Sequence, residues 1–178
     1  MSVCDHELVA APFHRHALDG SVSAMSRIVS RVITATIPGR PAAVRAWYLD
    51  LTNLRRVHPL IVAVRQVGTA LAADGTVITD YLVTDRMVVA GLRIRFTYRV
   101  RMSAPPDGPI ATLARQAPRI RLVGQVTFVP TGDATTIRET LTIHAPWPLR
   151  RLVATEAEQA HTRMFAAMAA MFTTGTDV

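Results

Sequence analysis

An alternating stretch from Thr135 to His144 runs through Ala145-Pro146-Trp147-Pro148 into one long amphipathic segment that nearly ends the chain. The segments before it are rich in Val, Ile and Thr and alternate with a period of two, and none of them reads as a helix of comparable length. A sheet with one apolar face and a single long helix to cover it buries that face only by bending around the helix. The pattern therefore predicts an α+β chain whose sheet curves over a terminal helix and leaves room for a ligand between the two.

The helix is predicted over about 149–172, which at ~1.5 Å per residue is roughly 36 Å. Its expected inner stripe is Leu149, Leu152, Val153, Ala157, Ala160, Met164, Ala167, Met168 and Met171, with Arg150, Arg151, Glu158 and Arg163 outside it. Upstream, 27–37 reads as the first strand, stopped by Pro38-Gly39. Pro41 suits a first helical turn, and Val44, Trp47, Tyr48 and Leu51 follow at helical spacing. A second short helix is expected near 53–57, ending before His58-Pro59 because a residue preceding proline resists the α region. Strands are then expected over 61–69, 76–85, 92–103, 110–116, 119–129 and 135–144. The clearest carries Arg93, Arg95, Thr97, Arg99 and Arg101 on one face and Ile94, Phe96, Tyr98, Val100 and Met102 on the other, as in a sheet with one wet side.

With 178 residues the chain is long enough for one domain with a substantial core, and 49% hydrophobic residues argue against disorder. Residues 1–26 read as a flexible tail, 27–173 as one domain and 174–178 as a short C-terminal tail. No run is apolar enough to span a bilayer, and Asp5, His6 and Glu7 interrupt any secretory-signal pattern, so a cytoplasmic protein is expected. There is no lysine, which removes lysine Schiff-base chemistry; the Lys-free, Arg-rich usage reads as genomic GC bias. The single cysteine, Cys4, forms no internal disulfide. Cys4, His6, His14 and His16 match no standard zinc spacing, so no metal and no cofactor is expected. The net charge of +7 permits an anionic partner, but with 6% aromatics and no binding motif, nucleic acid is set aside.

The order strand, two short helices, six strands, long C-terminal helix resembles the helix-grip fold of the SRPBCC or START-like superfamily, which includes polyketide cyclases. The matching features are the first strand followed by the helix from Pro41, the break at Val57-His58-Pro59-Leu60, and the closing Ile143-His144-Ala145-Pro146-Trp147-Pro148-Leu149. The resemblance spans about residues 27–173. It implies a curved antiparallel sheet of about seven strands around the terminal helix, and a deep, mostly apolar pocket between them for lipids, sterols, polyketides or other hydrophobic molecules. The His/His/Asp iron site of ring-hydroxylating members has no counterpart motif here, so metal chemistry is not carried over.

Glu139 is in phase with Ile137, Leu141 and Ile143 and should point inward, where a carboxylate has a raised pKa and can hold a ligand or move a proton; the alternatives are a bulge that tips it to the rim or a structural partnership with an arginine. His58 fits either a polar anchor at the pocket or a cap of the short helix. Tyr98 lies on an apolar face and Tyr81 can join it, contacting a ligand or packing the core. Glu139, His58 and Tyr98 are the candidate acid–base residues. The expected ligand-lining set adds Tyr81, Phe96, Phe128, Leu141, Ile143, Met164 and Met168; the methionines suit a soft pocket or an ordinary core alike. Arg93, Arg95, Arg99, Arg101, Arg119, Arg121 and Arg138 should share an outer face, with Asp80 and Asp85 neutralising part of it. That face would dock on an anionic membrane or acidic protein, or simply keep the sheet soluble. Three functions follow: binding or transport of a hydrophobic small molecule or lipid, polyketide cyclase/aromatase-like catalysis, and protein interaction through the basic face.

Overall fold

The computed structural model describes residues 28–89, 91–117 and 119–175. The expected N-terminal tail, with Cys4, His6, His14 and His16, lies outside the described residues. The elements are β1 (Ile28–Pro38), α1 (Pro41–Leu49), α2 (Leu51–Leu54), β2 (Ile61–Leu71), β3 (Val77–Val89), β4 (Leu92–Ala104), β5 (Ile110–Gln116), β6 (Ile120–Thr131), β7 (Ala134–His144) and α3 (Trp147–Thr174). The seven strands form one antiparallel sheet in the order β1-β7-β6-β5-β4-β3-β2. The sheet curves around α3 as expected.

α1 begins at Pro41, whose fixed φ suits a first turn. α2 comes earlier than expected because Asp50 is its cap: the Thr52 amide and hydroxyl both donate to Asp50 Oδ1, at 2.9 and 2.7 Å. α3 begins at Trp147, with Pro148 in its first turn, and stops at Gly175, which takes the left-handed conformation (φ 63°) that closes a helix without a Cβ clash.

α3 lies along β1 and touches β7, so its backbone shields one side of the concave face while β3, β4 and β5 remain farther off. Its buried stripe is Ala154, Ala157, Ala160, Met164, Phe165 and Met168. Leu152, expected inside, is exposed, and Phe165, absent from the expected stripe, is fully buried. The small residues on this stripe allow close approach to β1 and β7, and Phe165 then fills the core beside Tyr48, ring centroids 6.5 Å apart. On β4 the inward face is the expected one. Near the β3–β4 turn it runs beyond the helix, leaving Ile94 and Leu92 41% and 69% exposed.

Candidate functional site

Register builds the site. Glu139 on β7 lies opposite Ile33 on β1 and Val126 on β6, both inward and buried, so its carboxylate faces α3 with no exposure at all. Across from it His161 projects from α3, one turn after Ala157 and just before Met164. His161 Nδ1–H donates to Glu139 Oε2 at 2.6 Å. The proton is placed there because an ionised carboxylate only accepts. Burial works against a charge on His161, but the Glu139 carboxylate overrides it and raises the imidazole pKa. The carboxylate thus favours the protonated form of the imidazole.

The other carboxylate oxygen, Glu139 Oε1, is buried and has no partner. It sits against Gly124, where a Cβ would come within 3.1 Å of Oε1 and collide with Thr112 Oγ1. The glycine thus leaves the volume that the carboxylate and the threonine hydroxyl use.

His58 faces His161 edge-on, ring centroids 5.6 Å apart at 88°. Its Nδ1 accepts the Leu60 amide at 3.3 Å, which leaves the neutral ring its proton on Nε2. Burial, then the positive charges of His161 and Arg163, push its pKa down to about 3, so it stays neutral across the physiological range. His58 lines the cavity, and its ring bonds the chain beyond it and does not cap α2.

Asp85, expected on the outer face, points inward instead. It follows Tyr81 and Val83 in the alternation of β3, and all three are buried. Tyr98 donates its hydroxyl to Asp85 Oδ2 at 3.0 Å, while Oδ1 has no partner. Burial raises the Asp85 pKa to about 6, against the opposing hydrogen bond from Tyr98 and the charge of His161. Burial, followed by the charge of Asp85, raises that of Tyr98 well above its usual value. Asp80 does take the outer face, where Arg101 holds it by two hydrogen bonds at 2.8 and 2.9 Å.

Glu139, His161, His58 and Tyr98 line a partly open cavity of about 90 Å³ between α3, the end of α2 and the inner faces of β3 to β7; Asp85 lies behind Tyr98 and does not line it. Of the residues expected to line it, His58, Tyr98, Glu139, Leu141 and Met164 do. The others lie elsewhere. Tyr81 is 3% exposed and donates its hydroxyl to the Leu49 carbonyl. Phe96 stacks on Tyr98 from outside, centroids 5.8 Å apart. Phe128 packs on Tyr48 and borders a separate surface cleft beside Pro41 and the 105–109 loop. Ile143 joins Ile120, Ala154 and Ala157 in a small core at the start of α3, and Met168 is sealed into the main core. Tyr48, Leu51 and Leu54 of α1 and α2 form one wall of the hollow.

Sequence reasoning missed His161 and the inward Asp85. Among the described residues no cluster of His, Cys, Asp and Glu has the arrangement of a metal site.

Solved structures with the same architecture include a START superfamily protein from Mycobacterium smegmatis (18% identical, TM-score 0.57), which covers 84% of this chain and 99% of its own. The fold is START-like. The same layout occurs in the ZhuI aromatase/cyclase from Streptomyces sp. R1128, 15% identical with a TM-score of 0.63 over 82% of this chain and 94% of that one. The di-domain aromatase/cyclase StfQ of the steffimycin pathway matches at 11% identity and a TM-score of 0.66, over 85% of this chain and 52% of its own length. The START-like chain thus spans about half of that two-domain protein. No protein-family model matches the sequence, and no curated protein does. At these identities the likeness is one of fold.

Proposed function

We propose that the START-like chain binds a small, largely hydrophobic molecule in the cavity between α3 and the sheet, with Glu139, His161 and His58 as its polar anchors. The observation that carries this reading is Glu139 Oε1: a fully buried acceptor with no partner, on the wall of a cavity whose other lining is mostly apolar. A carboxylate oxygen left bare at such a site is costly unless a guest or water supplies a donor. Pockets for drug-sized ligands hold roughly 300–1,000 Å³, far more than the 90 Å³ present. A guest of more than a few heavy atoms must therefore displace part of the wall, and the α2–His58 segment is the movable side because α3 is packed along β1. Native mass spectrometry of protein purified from its source is expected to show a mass that leaves on denaturation. Val83→Trp, which fills the cavity, should abolish it; a bound mass that survives Val83→Trp unchanged would place the ligand elsewhere.

A second reading, an aromatase/cyclase-like enzyme, is favoured by one further observation. His161, hydrogen-bonded to Glu139 and biased toward holding its proton, faces a neutral His58, so two imidazoles of opposite proton affinity share one small space. Turnover of a reactive poly-β-ketone should then fall by about 10²-fold or more in His161→Gln. Binding with no turnover in the unaltered protein would leave the first reading standing and remove the second.

A further inference from the structure

The outer face of the sheet carries arginines directly opposite one another. Register puts Arg99 of β4 against Arg115 of β5, and Arg115 against Arg121 of β6. One strand further, Arg121 Nη2 meets His144 Nε2 of β7 at 3.2 Å. Arg86 and Arg95 face each other in the same way near the β3–β4 turn. All five arginines are exposed, and among the described residues none makes an ion pair; Asp80 on the neighbouring strand is taken by Arg101. Like charges directly opposite each other destabilise a sheet. A row of them across three adjacent strands is a feature that folding alone does not explain.

The same end of the sheet exposes large apolar side chains. Val88 and Leu92, flanking the β3–β4 turn, are 65% and 69% exposed, and Trp147, three residues beyond the end of β7, is 66% exposed. Arg86 and Arg95 are two and three residues from Val88 and Leu92 on the β3–β4 hairpin, with Val88 on the arginine face and Leu92 on the other. The arginine row runs to His144, three residues before Trp147, so both apolar groups adjoin the arginines at the same strand ends. His58, Gln116 and Leu122 of the cavity wall belong to that end too, at the start of β2, the end of β5 and the start of β6.

We infer that this end of the sheet docks on a bilayer bearing anionic headgroups, with the Arg99–Arg115–Arg121 row and the Arg86/Arg95 pair over the headgroups and Val88, Leu92 and Trp147 entering the interface. A nucleic acid or an acidic protein would match the arginines and leave the apolar tip in water. A charged bilayer matches both, since surface arginines and interfacial apolar groups bind it additively. The inference is independent of what the cavity holds.

The test is flotation of the full chain with vesicles of phosphatidylcholine alone, and with vesicles of phosphatidylcholine mixed with phosphatidylglycerol. The protein should float with the mixed vesicles only, and added salt should weaken that binding. Each arginine removed should weaken it about fivefold, so Arg95→Ser with Arg115→Ser costs roughly 25-fold. Leu92→Ser with Trp147→Ser should keep the salt-sensitive step but shorten the bound lifetime. Far-UV circular dichroism of the variants checks that the fold is kept. Equal flotation with neutral vesicles, binding unchanged in the folded arginine variants, or retention on an RNA or a polyglutamate resin with no flotation would each overturn the inference.

Discussion

A buried carboxylic acid whose second oxygen has no partner is a liability to the folded state, and Asp85 shows it most clearly. Its pKa rises from 3.8 to about 6 on folding, chiefly through burial. The unfolded chain therefore releases this proton at lower pH than the folded one, and stability is lost as pH rises from about 4 to about 6. Above that window the penalty is full, about 3 kcal/mol at ~1.4 kcal/mol per pKa unit. Asp85→Asn can still accept the Tyr98 hydroxyl and carries no charge. It should raise the melting temperature near pH 7.5 and lose that gain toward pH 4, which a series of melts across pH will read. His58 acts in the opposite direction. Its folded pKa of about 3 lies below the unfolded 6.5, so stability falls as pH drops below about 6.5, by about 2 kcal/mol near pH 5. His58→Gln should flatten the acid side of the same curve. Of the residues involved, Glu139 was legible because it shares its phase with Ile137 and Leu141. His161 is equally in phase with Ala157, Met164 and Met168, but a stripe of apolar side chains passes over it. Asp85 follows Tyr81 and Val83 in alternation, while its charge alone points it to water. In both cases periodicity held the answer and side-chain polarity masked it.

Among the elements, strands and the terminal helix were legible because their periods are long and regular: 92–103 against Leu92–Ala104, and 110–116 against Ile110–Gln116. α2 was displaced because its position depends on the Asp50 cap, a local hydrogen bond that a hydrophobic pattern does not register. The size of the cavity was not legible at all. It depends on how residues from α1, α2, α3 and the sheet pack together, among them Tyr48, Leu51 and Leu54, and not on the period of any one element. Gly124 is the place where strand geometry and site chemistry meet. Adding a Cβ there drives into Thr112 Oγ1 and crowds Glu139 Oε1. Gly124→Ala should therefore destabilise by about 1–3 kcal/mol, the usual range for overpacking a core. It should also shift the titration of His161, seen by NMR of the imidazole, because the carboxylate that sets it must move.

At the scale of the molecule the START-like architecture separates two surfaces that answer to different physics. Inside, the concave face is apolar with a few titrating groups, and no helix of the described residues is long and apolar enough to cross a membrane. Outside, positive charge is gathered into rows that repel themselves. The outward facing of Arg93, Arg95, Arg99, Arg101 and Arg121 was legible from alternation; Arg119 instead occupies the turn before β6 with φ 57°. What alternation could not show is register, and register turns scattered arginines into opposed ones. Arg115 sits between Arg99 and Arg121, so its removal relieves two repulsions at once. Arg115→Thr puts a β-branched residue on an exposed strand and should stabilise the fold by about 0.5–1.5 kcal/mol. The decisive comparison is salt dependence. Screening weakens repulsion between exposed charges more than a Debye length apart and softens it for nearer ones. The melting temperature of the unaltered chain should therefore rise with added sodium chloride, and that of Arg115→Thr should rise less. A chain stabilised by losing an arginine that its anionic-vesicle binding needs would show the row is kept at a cost in stability, which is the expected mark of a surface selected for a partner. Equal salt slopes in the two proteins would mean the side chains splay apart and the opposed register carries no energetic weight.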